Sequence, residues 1–79
     1  MDNGQLSSLR KAQALGARYA KQSESGNHYY AVTTLDPEAH CWRCWPNGEC
    51  VEFGTVNPEN LKDWLPIADV IYALTPAGG

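Results

Sequence analysis

The chain has 79 residues, 43% of them hydrophobic, with three Trp, four Tyr and one Phe. This is the composition of a single small folded domain spanning 1–79, of a size that buries about 60% of the surface its unfolded chain exposes. A net charge of −3 with only six Lys and Arg weighs against nucleic-acid binding, which draws on clustered cations, and no apolar run approaches the roughly 20 residues a bilayer span requires.

The opening MDNGQLSSLRK lacks the apolar stretch of a signal peptide. Three cysteines cannot all pair within one chain. Free thiols in a reducing cytoplasm are therefore expected.

Leu6, Leu9, Ala12, Leu15 and Tyr19 recur at three- and four-residue steps, which predicts an amphipathic helix over about 5–20. Gly16 weakens that helix by about 1 kcal/mol relative to Ala and offers an earlier end. After a polar loop, HYYAVTTL at 28–35 is dense in aromatic and β-branched residues and predicts a strand. Asp36 and Pro37 then open a turn.

The segment HCWRCWPNGECVEF that follows carries two apolar-polar alternations meeting at Asn47-Gly48, a pair that accepts the positive φ angles of a type I′ hairpin turn. Strands are expected over 40–46 and 49–56. With a two-residue loop, Trp45 faces Cys50, Cys44 faces Val51, Arg43 faces Glu52 and Trp42 faces Phe53. Trp42, Cys44, Val51 and Phe53 would then share a core face, and Cys41, Arg43, Trp45, Cys50 and Glu52 the other. Asn57-Pro58 combines a helix cap with Pro at the first helical position, predicting a helical turn over about 58–65. IADVIYAL at 67–74 is expected as the last strand, and 75–79 as a frayed tail.

The fold class expected is mostly β (α+β): a small twisted antiparallel sheet or barrel with an N-terminal amphipathic helix. The succession of the HYYAVTTLD strand, the HCWRCWPNGECVEFG hairpin and the VNPENLKDWLP helical turn resembles the Tudor-type branch of the Src-homology-3-like small barrels, over about 17–67. The N-terminal helix and the ADVIYALTPAGG extension depart from that pattern. The resemblance implies a non-catalytic module that reads methylated Lys or Arg through an aromatic cage, or an adaptor. In a cage each ring contributes about 0.5–2 kcal/mol to a desolvated cation. Tyr29 and Trp45, with Tyr30 beside them, are the rings such a cage would draw on, and Glu49 and Glu52 the charge complements.

The other constellations are weaker. Cys41 and Cys44 with Cys50 and His40 or His28 offer zinc-type ligands, but in a strand Cys41 and Cys44 point to opposite faces, so no metal is expected. A Cys-His nucleophile meets the same obstacle. With no phosphate loop and no Ser-centred elbow, neither an enzyme nor a cofactor is expected. The LTPAGG end resembles the tails of sulfur-carrier and ubiquitin-like proteins, which is the alternative function. Its order of elements does not suit their fold, in which two strands precede the helix.

The function expected is a protein-binding or adaptor module acting through Tyr29, Arg43, Trp45, Glu49 and Glu52. Its partner would present a basic or neutral surface, as a host factor blocked by a phage or mobile-element protein would. Self-association stays open.

Overall fold

The computed structural model describes residues 4–60 and 63–76. Helix α1 (Gly4–Leu15) is followed by strands β1 (Tyr19–Gln22), β2 (Tyr29–Val32), β3 (Ala39–Cys44) and β4 (Cys50–Val56), a 3-10 turn at Pro58–Asn60, the short strand β5 (Leu65–Pro66) and helix α2 (Ile67–Leu74). The five strands form one antiparallel sheet in the order β4-β3-β2-β1-β5. Among the described residues no helix is long and apolar enough to cross a membrane.

The expected helix over 5–20 ends five residues early, and β1 takes its place. Gly16 is the cause. Its N–H donates to the Gln13 carbonyl (3.1 Å) and the Ala17 N–H to the Ala12 carbonyl (3.0 Å). This pair of bonds closes a helix in a Schellman motif and turns Tyr19 and Ala20 into the sheet. Leu15, expected on the apolar stripe, is left 61% exposed.

The segment 67–74 is a helix, not the expected strand. Ile67, Val70, Ile71 and Leu74 fall at i, i+3, i+4 and i+7, the spacing of one helical face, and all four pack into the core. Asp69 in the first turn complements the helix dipole. Of the helical turn expected over 58–65, Asp63 and Trp64 are not helical and Leu65 belongs to β5, while Pro58–Asn60 forms a 3-10 turn. Its cap is as the sequence suggests, with the Asn57 side-chain oxygen accepting from the Glu59 N–H at 3.1 Å. Leu61 of that turn and the Gly78-Gly79 tail lie outside the described residues.

Both helices cover one face of the sheet. Ala20, Ala31 and Trp42 line up across β1, β2 and β3, and the two small side chains leave room for Leu9 and Ala12 of α1 and Ile67 and Val70 of α2 to reach the sheet. The N-terminus of α1 also grips the hairpin. Gln5 donates to the Cys44 carbonyl (2.8 Å) and Lys11 to the Gly48 carbonyl (2.8 Å). Gly4 lies so close to Pro46 that a β-carbon there would overlap the Pro46 carbonyl.

The opposite face is divided. Because β4 and β5 are at opposite edges, the connection between them carries Trp64 onto this face, over a smaller core of Val32, Ala39 and Cys41 flanked by Tyr19, Tyr30 and Val56. Trp64 is fixed there by its indole N–H, which donates to the Pro58 carbonyl at 3.1 Å. The other half of this outer face carries no covering element among the described residues.

Candidate functional site

The uncovered half is built by the β3–β4 hairpin, in a register different from the expected one. Trp45 donates its N–H to the Glu49 carbonyl (2.9 Å) and accepts from the Gly48 N–H (3.1 Å), so the loop holds three residues, Pro46, Asn47 and Gly48. This is a type I turn followed by a bulge residue at positive φ, here Gly48 at 96°. Pro46 excludes the two-residue alternative. There it would have to donate an N–H to Glu49, and proline has none.

The slip of one residue moves the whole of β4 to the other phase. Cys44 faces Cys50, Arg43 faces Val51 and Trp42 faces Glu52. The expected pairs Trp45–Cys50, Arg43–Glu52 and Trp42–Phe53 do not form. Farther along, Cys41 faces Gly54 and Phe53 has no partner, which makes Phe53 the extra residue of a β-bulge. The bulge resets the alternation, so that Val51 before it, Phe53 within it and Val56 after it all meet the outer face.

Trp42 is buried at 7% exposure on the helix-covered face, whereas Phe53 and Val51 stand 44% and 45% exposed on the outer one. There the aromatic rings form a continuous row. His28 lies against Trp45 with ring centres 4.4 Å apart and meets Tyr30 edge-on at 4.9 Å, and Tyr30 is 6.1 Å from Phe53. The Arg43 guanidinium caps the row, 4.1 Å from the Phe53 ring centre. Lys21 sits across from Tyr30 on β1. Neither Arg43 nor Lys21 has a carboxylate within ion-pair distance among the described residues; the Glu52 carboxylate is hydrogen-bonded to His40 instead, at 2.7 Å.

His28 is buried and neither ring nitrogen has a hydrogen-bond partner among the described residues. Burial, reinforced by the nearby Arg43 charge, holds its pKa below the usual imidazole value. A neutral ring stacked on Trp45 is the form this environment favours.

Of the five residues expected to share a site, Arg43 and Trp45 meet on the outer row. Tyr29 is directed to the other face, partly buried against the helix-covered core. Glu52 is on that side as well, bonded to His40 at the β4 edge. Glu49 stays in the turn, held by Asn47 through its N–H and its carboxylate, each at 2.9 Å. Tyr30, Phe53 and His28 complete the row. The face of Phe53 depends on the turn type and so does not follow from the alternation alone; Pro46 and Gly54 are the sequence signals of it, the latter as a glycine inside a strand marking a bulge.

Cys41 and Cys44 do lie on opposite faces, in separate cores. Burial raises the Cys41 thiol pKa to about 11 and that of Cys44 further still. No group of three metal-ligating side chains occurs among the described residues. Comparisons with protein families, with curated proteins and with solved structures return no match for this chain.

Proposed function

We propose that the protein is a non-enzymatic binding module that docks a protein partner on the open outer row of Tyr30, Arg43, Trp45 and Phe53. The observation that carries this reading is Phe53, a large ring held in place by a bulge and 44% exposed. An aromatic with an arginine beside it, rimmed by polar groups, is the usual composition of an interface anchor. The helix-covered face has its own aromatic, Trp42, so the outer rings are not needed to build that core.

The succession of strand, loop, strand, turn, hairpin, helical turn and short last strand supports an elaborated small barrel of the Tudor type, with β5 beside β1. Methyl-cation reading is the less favoured use of the row. Arg43 already occupies the face of Phe53, and an incoming methylated cation would have to displace it against like charge. The partner that fits presents an apolar side chain to Phe53 and Val51 and a carboxylate or carbonyl to Arg43. The rest of its surface would be neutral or basic, in keeping with the net charge of −3.

Affinity capture from cells that produce the protein tests this, with Phe53→Ala and Trp45→Ala as row variants and Leu15→Ala and Tyr72→Ala as exposed controls elsewhere. A partner lost with the first two and kept with the last two supports the reading. One kept by both row variants overturns it.

A further inference from the structure

The hairpin register sets Cys44 and Cys50 directly opposite each other. Because the neighbouring Trp45–Glu49 position makes a ladder hydrogen bond, the Cys44–Cys50 position is a non-hydrogen-bonded one. In antiparallel sheets this is where opposed Cα atoms come nearest, about 4.5 Å, with side chains in contact. A disulfide needs Cα atoms about 4.4–6.8 Å apart. Both side chains are on the helix-covered face, where Cys50 packs against the core that holds Cys44. Cys41, the third cysteine, is in the core of the opposite face.

We propose that Cys44 and Cys50 are an oxidisable dithiol, a covalent modification site at which a disulfide closes across the hairpin. Access assigns the roles. Cys44 is fully buried and Cys50 is partly exposed, so Cys50 meets the oxidant and Cys44 resolves it.

With hydrogen peroxide, the Cys50 thiolate attacks one oxygen and the O–O bond breaks. Cys50 becomes a sulfenic acid, and the hydroxide released takes up the proton that Cys50 gave up on forming the thiolate and leaves as the first water. The Cys44 sulfur then displaces the sulfenic oxygen as a second water, its own thiol proton being taken up in that water, and the S–S bond forms. With glutathione disulfide, Cys50 first forms a mixed disulfide, releasing one glutathione, and Cys44 releases the second. Either route removes two electrons and two protons from the pair. The bridge would hold the turn that carries Trp45 between two covalently joined strands.

The test uses the full purified chain, treated separately with glutathione disulfide and with hydrogen peroxide under native conditions. The expected product is a monomer lighter by two hydrogens, with one of its three thiols still titratable, that thiol being Cys41. Cleavage after Glu49, inside the closed loop, should leave two peptides joined until reductant is added. Cys41→Ser should still form the bridge and Cys50→Ser should not. The oxidised monomer should melt several degrees higher, because the bridge constrains the unfolded chain. Disulfide-linked dimers, a bridge that includes Cys41, or three thiols that survive oxidation when folded and react only in denaturant would each overturn the assignment.

Discussion

The guanidinium of Arg43 lies 4.1 Å from the centre of the Phe53 ring although the two are not cross-strand partners, since Arg43 pairs with Val51 and Phe53 is the unmatched residue of a bulge. A regular ladder would carry Val51 and Phe53 outward but Val56 inward. The bulge instead lets the near part of β4 support an open patch while its far end feeds the small core of Val32, Ala39 and Cys41. Patch and core are thus two outcomes of one extra residue.

This contact should be weak as a source of stability. Exposed cation–π pairs contribute about 0.5–1 kcal/mol, so a double-mutant cycle of Arg43→Ala and Phe53→Ala, read by urea unfolding, should give a coupling in that range. A coupling above about 2 kcal/mol, the value of a desolvated pair, would mean that Arg43 and Phe53 act as core.

Trp42 belongs to the fold. It is 7% exposed and packs among Leu9, Ala31 and Cys44. Trp42→Ala should cost about 3–5 kcal/mol, the range for deleting a large buried ring, which is enough to unfold most of a domain this small. Circular dichroism melting checks it, and a melting temperature close to the wild type would contradict the burial.

Gly4→Ala probes the grip of α1 on the hairpin. The added methyl meets the Pro46 carbonyl, and overpacking of this kind typically costs about 1–3 kcal/mol. Helix propensity alone predicts the opposite sign, a gain of about 1 kcal/mol. Denaturant midpoints of the variant and the wild type therefore decide whether the docked turn is present in solution.

His28 makes stability depend on pH. Its pKa is depressed by burial and by Arg43, so the native state holds the neutral ring, while the unfolded chain takes up a proton near pH 6.5. Below that pH the unfolded state binds more protons, and stability falls as pH drops from about 6.5 toward the native pKa. His28→Phe should flatten this part of the stability curve relative to wild type. Parallel curves for the two proteins, with a His28 imidazole that titrates near 6.5 by NMR, would contradict the burial of the ring.

Much of the fold is legible in the sequence where the signal is local. The strand at Tyr29–Val32, the hairpin, the Asn57 cap and the alternation that separates Cys41 from Cys44 all follow from residue type and spacing. The register does not follow from Asn47-Gly48 alone, because Pro46 lacks the N–H a two-residue loop would need. Its one-residue slip exchanges the faces of Cys50, Val51, Glu52 and Phe53. β1 is hidden because Tyr19 and Ala20 continue the apolar spacing of α1 past the Gly16 stop. In α2, β-branched content suggests a strand, yet the positions of Ile67, Val70, Ile71 and Leu74 are helical and the core takes them as such. As for the site, Arg43 in β3 and Trp45 just beyond its end are legible as outward residues, whereas Phe53 and Tyr30 join them only once strand pairing is known.

The central claim, that the outer row binds rather than supports, is tested most directly by paired measurements on Phe53→Ala: its melting temperature and its affinity for the captured partner. The account predicts a melting temperature within a few degrees of wild type and an affinity at least about tenfold weaker, the loss of about 1.4 kcal/mol or more that truncating an anchor brings. A variant that binds as tightly as the wild type, or one that unfolds, would contradict it.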